Sequence, residues 1–469
     1  MTKTGAFLLS RINTFAAAAL VAVLVVGVQV AREDPRHPVF DEIVYLDAAN
    51  NLVHHGVLAK GPIAATPPVP SMVEAPVTPA FLAALMSVDE TLRDTVACIM
   101  AANYDPARPT TDCPPVYGAY LWVMTLLAGL AAGVVWLIAR ATGAGPGVCW
   151  LALILALASG QYGYFARHFL TDGYVLGFFS LMVLGLVSAL RPGDGRTRTL
   201  AALALAGAAI GFCALTREGY WPLGLATGVA LLVFGRRSFG LAGGAVFLGA
   251  FAVVLAPWLI RNALLFDTFG LVDGRGATVL IQRIAYNAMT WTEWAAAWVF
   301  WLPDFGDRLG PALFGADAVE RLKWFGEQSF YQVGNGALQD EVRAAANAAG
   351  VTPVAYVLDT YVFGDIARHT AVSAVLSWRG LWIGNYFGLI GHVAGIAGAI
   401  ILIRRGQSGA LLALTVPALV MVALHGWVSV SIPRYNVGMV PYLAVLTAIA
   451  LGAGAARFRS RFFRARNGA

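Results

Sequence analysis

The chain has 469 residues, 58% of them hydrophobic and only 12% charged, with a mean hydropathy of +0.69. An ordinary soluble domain carries about 25% charged residues, so this composition excludes a water-soluble globular protein and makes lipid the main solvent. The net charge of +6 does not point to nucleic acid, because the basic residues gather at the ends of apolar runs and form no patch interleaved with aromatics.

A backbone in hydrocarbon has to satisfy its own hydrogen bonds, so each apolar run is read as a helix. The first, 12–30, follows a short basic start from Lys3 to Arg11. No small-residue cleavage site precedes Arg32, so the run reads as a retained helix rather than a signal peptide. Further spans are predicted at 117–139, 147–163, 173–190, 200–215, 220–234, 241–260, 381–403, 411–427 and 435–456. The expected fold is an all-α polytopic membrane protein of about ten spans. Three regions follow: an N-terminal membrane module, 1–260; a loop region, 261–380; and C-terminal membrane helices with a basic tail, 381–469.

Two long connections, 31–116 and 261–380, hold more charge, Pro and Asn than the spans. In the first, Pro76-Val77-Thr78-Pro79 leads into the apolar stretch 80–88, too short to cross and read as an interfacial helix. In the second, the Trp-rich stretch 291–302 predicts an interfacial or re-entrant helix, and 338–349 a polar helix stopped by Gly350 and Pro353. Arg140, Arg191, Arg196, Arg198, Arg236, Arg237, Arg404 and Arg405 mark short basic connections whose only acid is Asp194, and the tail adds Arg457, Arg459, Arg461, Arg464 and Arg466. The positive-inside rule then puts both termini in the cytoplasm and the two long connections outside a cell (inner) membrane.

Of four cysteines, Cys149 and Cys213 lie in apolar runs and read as packing residues. Cys98 and Cys113 share one polar segment, where an oxidising compartment permits a disulfide; spacing alone leaves the bonded and free states open.

The residues suited to chemistry fall near the outer ends of spans. Asp41 and Glu42 follow the first span within Phe40-Asp41-Glu42-Ile43-Val44-Tyr45, a short helix with an acidic and an apolar face. A carboxyl held against an apolar surface has a tunable pKa, which suits a general base. Two solvated loop acids are the plainer alternative. Asp172 closes Arg167-His168-Phe169-Leu170-Thr171-Asp172, where it equally suits a helix N-cap. Arg217, Arg261 and Arg434 adjoin apolar runs at expected outer ends. Each suits snorkelling to a lipid headgroup, but three together at that face suit bidentate capture of a phosphate. His425 is an ionisable residue inside a span and thus a functional candidate.

Together these stretches resemble the GT-C glycosyltransferases that use polyprenyl-phosphate sugars, in particular the family 39-like set that includes protein O-mannosyltransferases and aminoarabinose transferases. The resemblance is carried, in order, by Asp41 to Leu52 with His55-Gly56, Pro76 to Pro79, Arg167 to Asp172, Leu215 to Glu218, Pro257 to Asn262, and Arg434 to Pro441. It implies an inverting transfer from the lipid phosphate to an acceptor hydroxyl on a glycan, lipid or protein. Asp41 is then the base, with Glu42 and Asp172 supporting the catalytic site. Tyr45, Lys60, Arg167, His168, Arg217, Arg261, His425 and Arg434 are then substrate-binding. Some such enzymes use a divalent metal; Asp41, Glu42 and Asp172 are the oxygens at hand, and no cofactor is assigned. The chain departs from the pattern in Pro76-Val77 where a proline pair is usual, in Thr78 where an aromatic is expected, and in an insertion over about 89–115.

The competing function is a transporter or flippase of an amphipathic lipid. Transporters often carry inverted repeats and mid-membrane broken helices; no repeat is visible here, and the acids lie in connections. The transferase reading is therefore preferred.

Overall fold

The computed structural model describes residues 3–63, 68–105, 108–191, 193 and 195–467. Asp194, the acid expected among the basic connections, lies outside the described residues. The described chain is helical with no strand, only an isolated bridge between Ala59 and Pro70. It divides into two compact units. The first comprises Met1–Leu271, Val393–Pro417 and Val440–Ala469; the second comprises Val272–His392 and Ala418–Met439.

The first unit starts with α1 (Lys3–Ala31), α2 (Asp41–His55), α3 (Val77–Val88) and α4 (Glu90–Asn103). There follow α5 (Gly118–Ala141), α6 (Pro146–Ala158), α7 (Gln161–Ala166), α8 (Thr171–Ala189), α9 (Arg196–Thr216), α10 (Trp221–Phe234) and α11 (Arg236–Phe266). Among the described residues eight helices in the chain are long and apolar enough to cross a membrane, and Pro146–Ala158 and Glu218–Phe234 are shorter apolar helices at two further predicted spans. The chain is thus a multi-pass membrane protein.

Among the boundaries that differ from expectation, three fall at a turn or at charged residues. The predicted span 147–163 breaks into α6 and α7 at Gly160, whose φ of 73° suits a residue without Cβ. α9 begins at Arg196 rather than near 200, which puts Arg196 and Arg198 in its first two turns. α11 continues past Arg261 to Phe266, so that arginine lies within a helix rather than at its end. In both extended helices the polar residues stopped the apolar count without stopping the helix, because a long cationic side chain reaches water from an apolar turn. α9 and α11 pack closely at Gly207: a Cβ there would fall 2.1 Å from the Phe247 carbonyl oxygen.

α2 positions the candidate site. Asp41 and Glu42 lie in its first turn, matched in sign to the helix dipole, and His54 and His55 lie in its last. Gly56, at φ 68°, closes it by donating its N–H to Leu52 O. Phe40 precedes it at φ 50°, strained for a residue with a side chain, and is 81% exposed. α4 was not expected, and it fills the insertion. Asp89 caps it by accepting from Leu92 N (3.1 Å) and also accepts from Ala119 N (2.7 Å) at the start of α5. A Cys98–Cys113 disulfide closes the insertion.

The second unit holds α12 (Arg275–Ala285), α13 (Trp291–Phe300), α14 (Gly306–Phe314), α15 (Asp317–Glu320), α16 (Phe330–Asn335), α17 (Ala337–Ala348), α18 (Pro353–Val357) and α19 (Ile366–Gly380). α13 and α17 occupy the stretches predicted as interfacial and polar helices. A capping box, Thr290 with Glu293, starts α13. An aromatic core with Tyr286, Trp301 and Phe330 holds the unit together. The remaining helices, α20 (Tyr386–Arg404), α21 (Ser408–Val428) and α22 (Met439–Asn467), are divided between the units along their length.

Candidate active site

Glu42 is the hub of the first unit's polar cluster. It is 1% exposed, and both carboxylate oxygens accept hydrogen bonds. Oε1 takes the Arg36 guanidinium and the Phe169 N–H (2.9 Å); Oε2 takes the Val39 N–H (3.0 Å). One buried carboxylate therefore fixes the turn into α2 and ties it to the segment between α7 and α8. Two of its three partners are backbone groups, which leave no mark in a sequence.

Asp41 sits one residue earlier and is half-buried. It follows directly on the strained Phe40, and the Val39 N–H bond to Glu42 restrains that turn. Farther along α2, Tyr45 is buried and Asp47 is 5% exposed. Asp47 Oδ2 accepts from the Tyr104 hydroxyl (2.6 Å) and Gly61 N (3.1 Å), and Oδ1 from Asn51 Nδ2 (3.1 Å). Burial pushes its carboxyl above the usual range, against the opposing pull of those bonds. Lys60 donates to the buried Glu74 at 3.0 Å.

Asp172, in the first turn of α8, is 2% exposed and accepts from Arg217 Nη1 at 2.7 Å. Arg217 forms the C-cap of α9, and 21% of its side chain remains exposed. The second acid and the first arginine of the predicted set are thus partners of each other. Arg167 pairs with Glu33 and donates to Asp34 O (2.9 Å). His168 stacks on Tyr164 (3.9 Å between centroids), donates Nδ1–H to Tyr164 O (2.6 Å), and has its pKa lowered by burial and by nearby Arg36. Arg261 stacks on Trp258 (4.5 Å) and Phe266 (5.1 Å) and donates to Asn262 Oδ1 (2.8 Å).

The first unit therefore gathers Asp41, Glu42, Arg36, Arg167 and His168 around the head of α2, with Asp172 and Arg217 paired at the ends of α8 and α9. His425 and Arg434 belong to the second unit. His425 is 4% exposed and donates Nδ1–H to Asn436 Oδ1 (2.8 Å); the Arg434 guanidinium lies 5.5 Å from the Tyr435 ring.

Sequence reasoning missed Arg36, Glu33 and Tyr104. A cation within six residues of Glu42 was a usable signal for Arg36. It also missed Arg283, which is fully buried in the second unit and donates to Gly426 O, His369 O, Ser373 Oγ and Asn287 Oδ1.

Two of the three carboxylates at hand for a divalent metal are engaged elsewhere. Glu42 is committed to three hydrogen-bond donors and Asp172 to Arg217, and no group of three His, Cys, Asp or Glu side chains gathers among the described residues.

No protein-family model and no curated protein sequence matches the chain. Among solved structures it is similar to the oligosaccharyltransferase of Archaeoglobus fulgidus. The apo form shares 14% identity over 97% of this chain and 52% of that one, with a TM-score of 0.51. The complex with Zn and sulfate shares 15% over 95% and 50%, with a TM-score of 0.50. This chain spans about half the length of that enzyme. It is also similar to ArnT from Cupriavidus metallidurans bound to undecaprenyl phosphate, at 17% identity over 97% and 79% with a TM-score of 0.37. At these identities the likeness to the oligosaccharyltransferase is one of fold, and the fold is of the GT-C type.

Proposed function

We propose that the chain is a membrane glycosyltransferase that moves a sugar from a polyprenyl-phosphate donor to an acceptor hydroxyl on the outer face. The observation that carries this reading is the unequal treatment of two adjacent acids at the head of α2: Glu42 is buried and committed to three donors, whereas Asp41 is half-buried beside a strained turn. An acid beside a fixed neighbour, with access to water, supports the role of a general base.

In the reaction, Asp41 takes the proton of the acceptor hydroxyl as its oxygen attacks the anomeric carbon. The bond from that carbon to the phosphate oxygen breaks, the electron pair leaves with the polyprenyl phosphate, and the configuration inverts. Arg217 and Arg261 are assigned to the donor's negative charge, Arg217 while still braced by Asp172. Tyr45, Lys60, Arg167 and His168 shape the surrounding surface. Orientation and charge neutralisation supply most of the rate, because a lipid phosphate is a good leaving group.

Deleting the gene tests the reading by mass analysis of lipid-linked sugars and envelope glycans. The expected result is accumulation of one polyprenyl-phosphate sugar and loss of that sugar from one glycan, lipid or protein. Unchanged levels of both refute it.

A further inference from the structure

Three side chains that carry hydrogen-bond donors lie side by side in the second unit. Arg379, in the last turn of α19, is half-buried; its guanidinium carbon lies 4.9 Å from the Trp301 ring and 5.1 Å from the Trp324 ring. Among the described residues it has no carboxylate partner, and its one hydrogen bond is from Nη1 to the Tyr286 hydroxyl oxygen at 3.4 Å. Tyr286 is 1% exposed, and its hydroxyl accepts that bond without donating its own proton to any described residue. Trp301 is 9% exposed, its ring lies 6.3 Å from that of Tyr286, and its indole N–H is buried with no partner.

Buried donors left unmade are rare and call for an explanation. The C-terminal turn of α19 offers Arg379 a partial negative charge of about half an elementary unit, but supplies no acceptor to Tyr286 or Trp301. A neutral water satisfies two donors and leaves the guanidinium uncompensated. An oxyanion meets all three requirements at once: it accepts from Arg379 in the bidentate manner guanidinium favours, and from an O–H and an N–H besides. Aromatic neighbours lower the local dielectric and strengthen such bonds.

We infer that Arg379, Tyr286 and Trp301 form a binding site for one oxyanion group, phosphate or carboxylate, carried on a larger molecule. Only Arg379 of the three retains substantial exposure, so the anionic group enters first and the rest of its carrier stays outside, near the half-buried Trp324 and Tyr331. The site involves no residue assigned to the transfer step, and the inference does not depend on that assignment.

Calorimetric titration of the full chain in detergent tests it, at constant ionic strength in chloride. The probes are inorganic phosphate, a methyl glucuronide and a short polyprenyl phosphate. Saturable binding is expected for at least one probe. R379Q should abolish the binding component that R261Q leaves intact, and W301F and Y286F, which keep the rings, should each weaken that component roughly tenfold. R379K should retain part of the affinity, which separates loss of charge from loss of fold. Glucuronide binding without phosphate binding identifies an acidic saccharide as the source. Binding of both phosphate probes, weakened in W301F, identifies a phosphorylated carrier. Absence of a saturable component that survives R261Q, for every probe, overturns the inference, as does such a component that W301F and R379Q leave unchanged.

Discussion

Replacing Asp41 and Glu42 one at a time separates chemistry from architecture. In E42Q the side chain keeps its size but loses its charge, and its NH2 must face one of three donors that held a carboxylate: Arg36, Val39 N or Phe169 N. Removing one partner of a buried ion pair costs about 3–5 kcal/mol. Arg36 keeps 28% of its side chain exposed, so water takes up part of its charge and the loss should fall near about 3 kcal/mol. The strain at Phe40, worth about 1–3 kcal/mol, is then poorly restrained and the first turn of α2 frays. D41N breaks no such hub and should change stability by about 1 kcal/mol or less. If Asp41 is the base, its loss lowers turnover by about 10²- to 10⁴-fold. The assay is transfer from a polyprenyl-phosphate sugar, run beside thermal unfolding of the same preparations. E42Q should lose stability and activity together, D41N activity alone. A stable but inactive E42Q, with D41N turning over normally, refutes the division of roles.

Three further outcomes follow from the same geometry. Single substitutions D172N and R217Q should each destabilise the chain, while the double variant falls short of their sum by about 1–3 kcal/mol; strict additivity in a double-mutant cycle contradicts the pairing. Reducing the Cys98–Cys113 bond, separated by 15 residues, should cost about 3 kcal/mol on the loop-entropy estimate; a melting curve indifferent to reductant, in a preparation without free thiols at those positions, refutes it. Burial and the Arg283 charge push His369 down to about 4 from an ordinary 6.5. The unfolded chain therefore holds more protons between those values, and stability falls as pH drops from 6.5 towards 4. The loss contributed by His369 should approach about 3 kcal/mol, read as the difference in pH dependence between the parent and H369Q. Asp47, raised by burial, works in the opposite direction, which is why the difference is needed. Parallel pH profiles sink the assignment.

The membrane architecture was legible because apolar length is a one-dimensional property, and the runs at 117–139 and 173–190 lie within two residues of α5 and α8 at each end. The residues that end a helix were less so. Arg196 and Arg261 interrupt hydropathy, yet both sit inside helices, because cations snorkel. α4 went unseen because its mixed sequence has no membrane signal, and it owes its place to Asp89 and to burial of Leu92, Val96 and Ile99. Within the site, identity was easier to read than partnership. Glu42 was noticed for its charge, but its bonds to Val39 N and Phe169 N are backbone contacts, the second reaching across 127 positions. Arg283 gave no warning at all: its partners include two carbonyls and a hydroxyl from elements remote in the chain.

Partnership also changes what the arginines mean. As letters in a sequence, Arg217, Arg261 and Arg434 were three equivalent cations awaiting one phosphate. In the structure Arg217 is braced by a buried carboxylate and Arg261 by two aromatic faces. A braced guanidinium binds an anion with less ordering entropy to lose than a mobile one, but Arg217 does so with its charge partly offset by Asp172. The two arginines should therefore differ when substituted. Loss of Arg261 should weaken capture of a phosphate donor while leaving Asp172 untouched. Loss of Arg217 should weaken it and, in addition, strand a buried carboxylate. D172N discriminates between these roles: by releasing Arg217 from its offset it should tighten phosphate binding even as it destabilises the fold, which no account of Arg217 as a purely structural cation predicts.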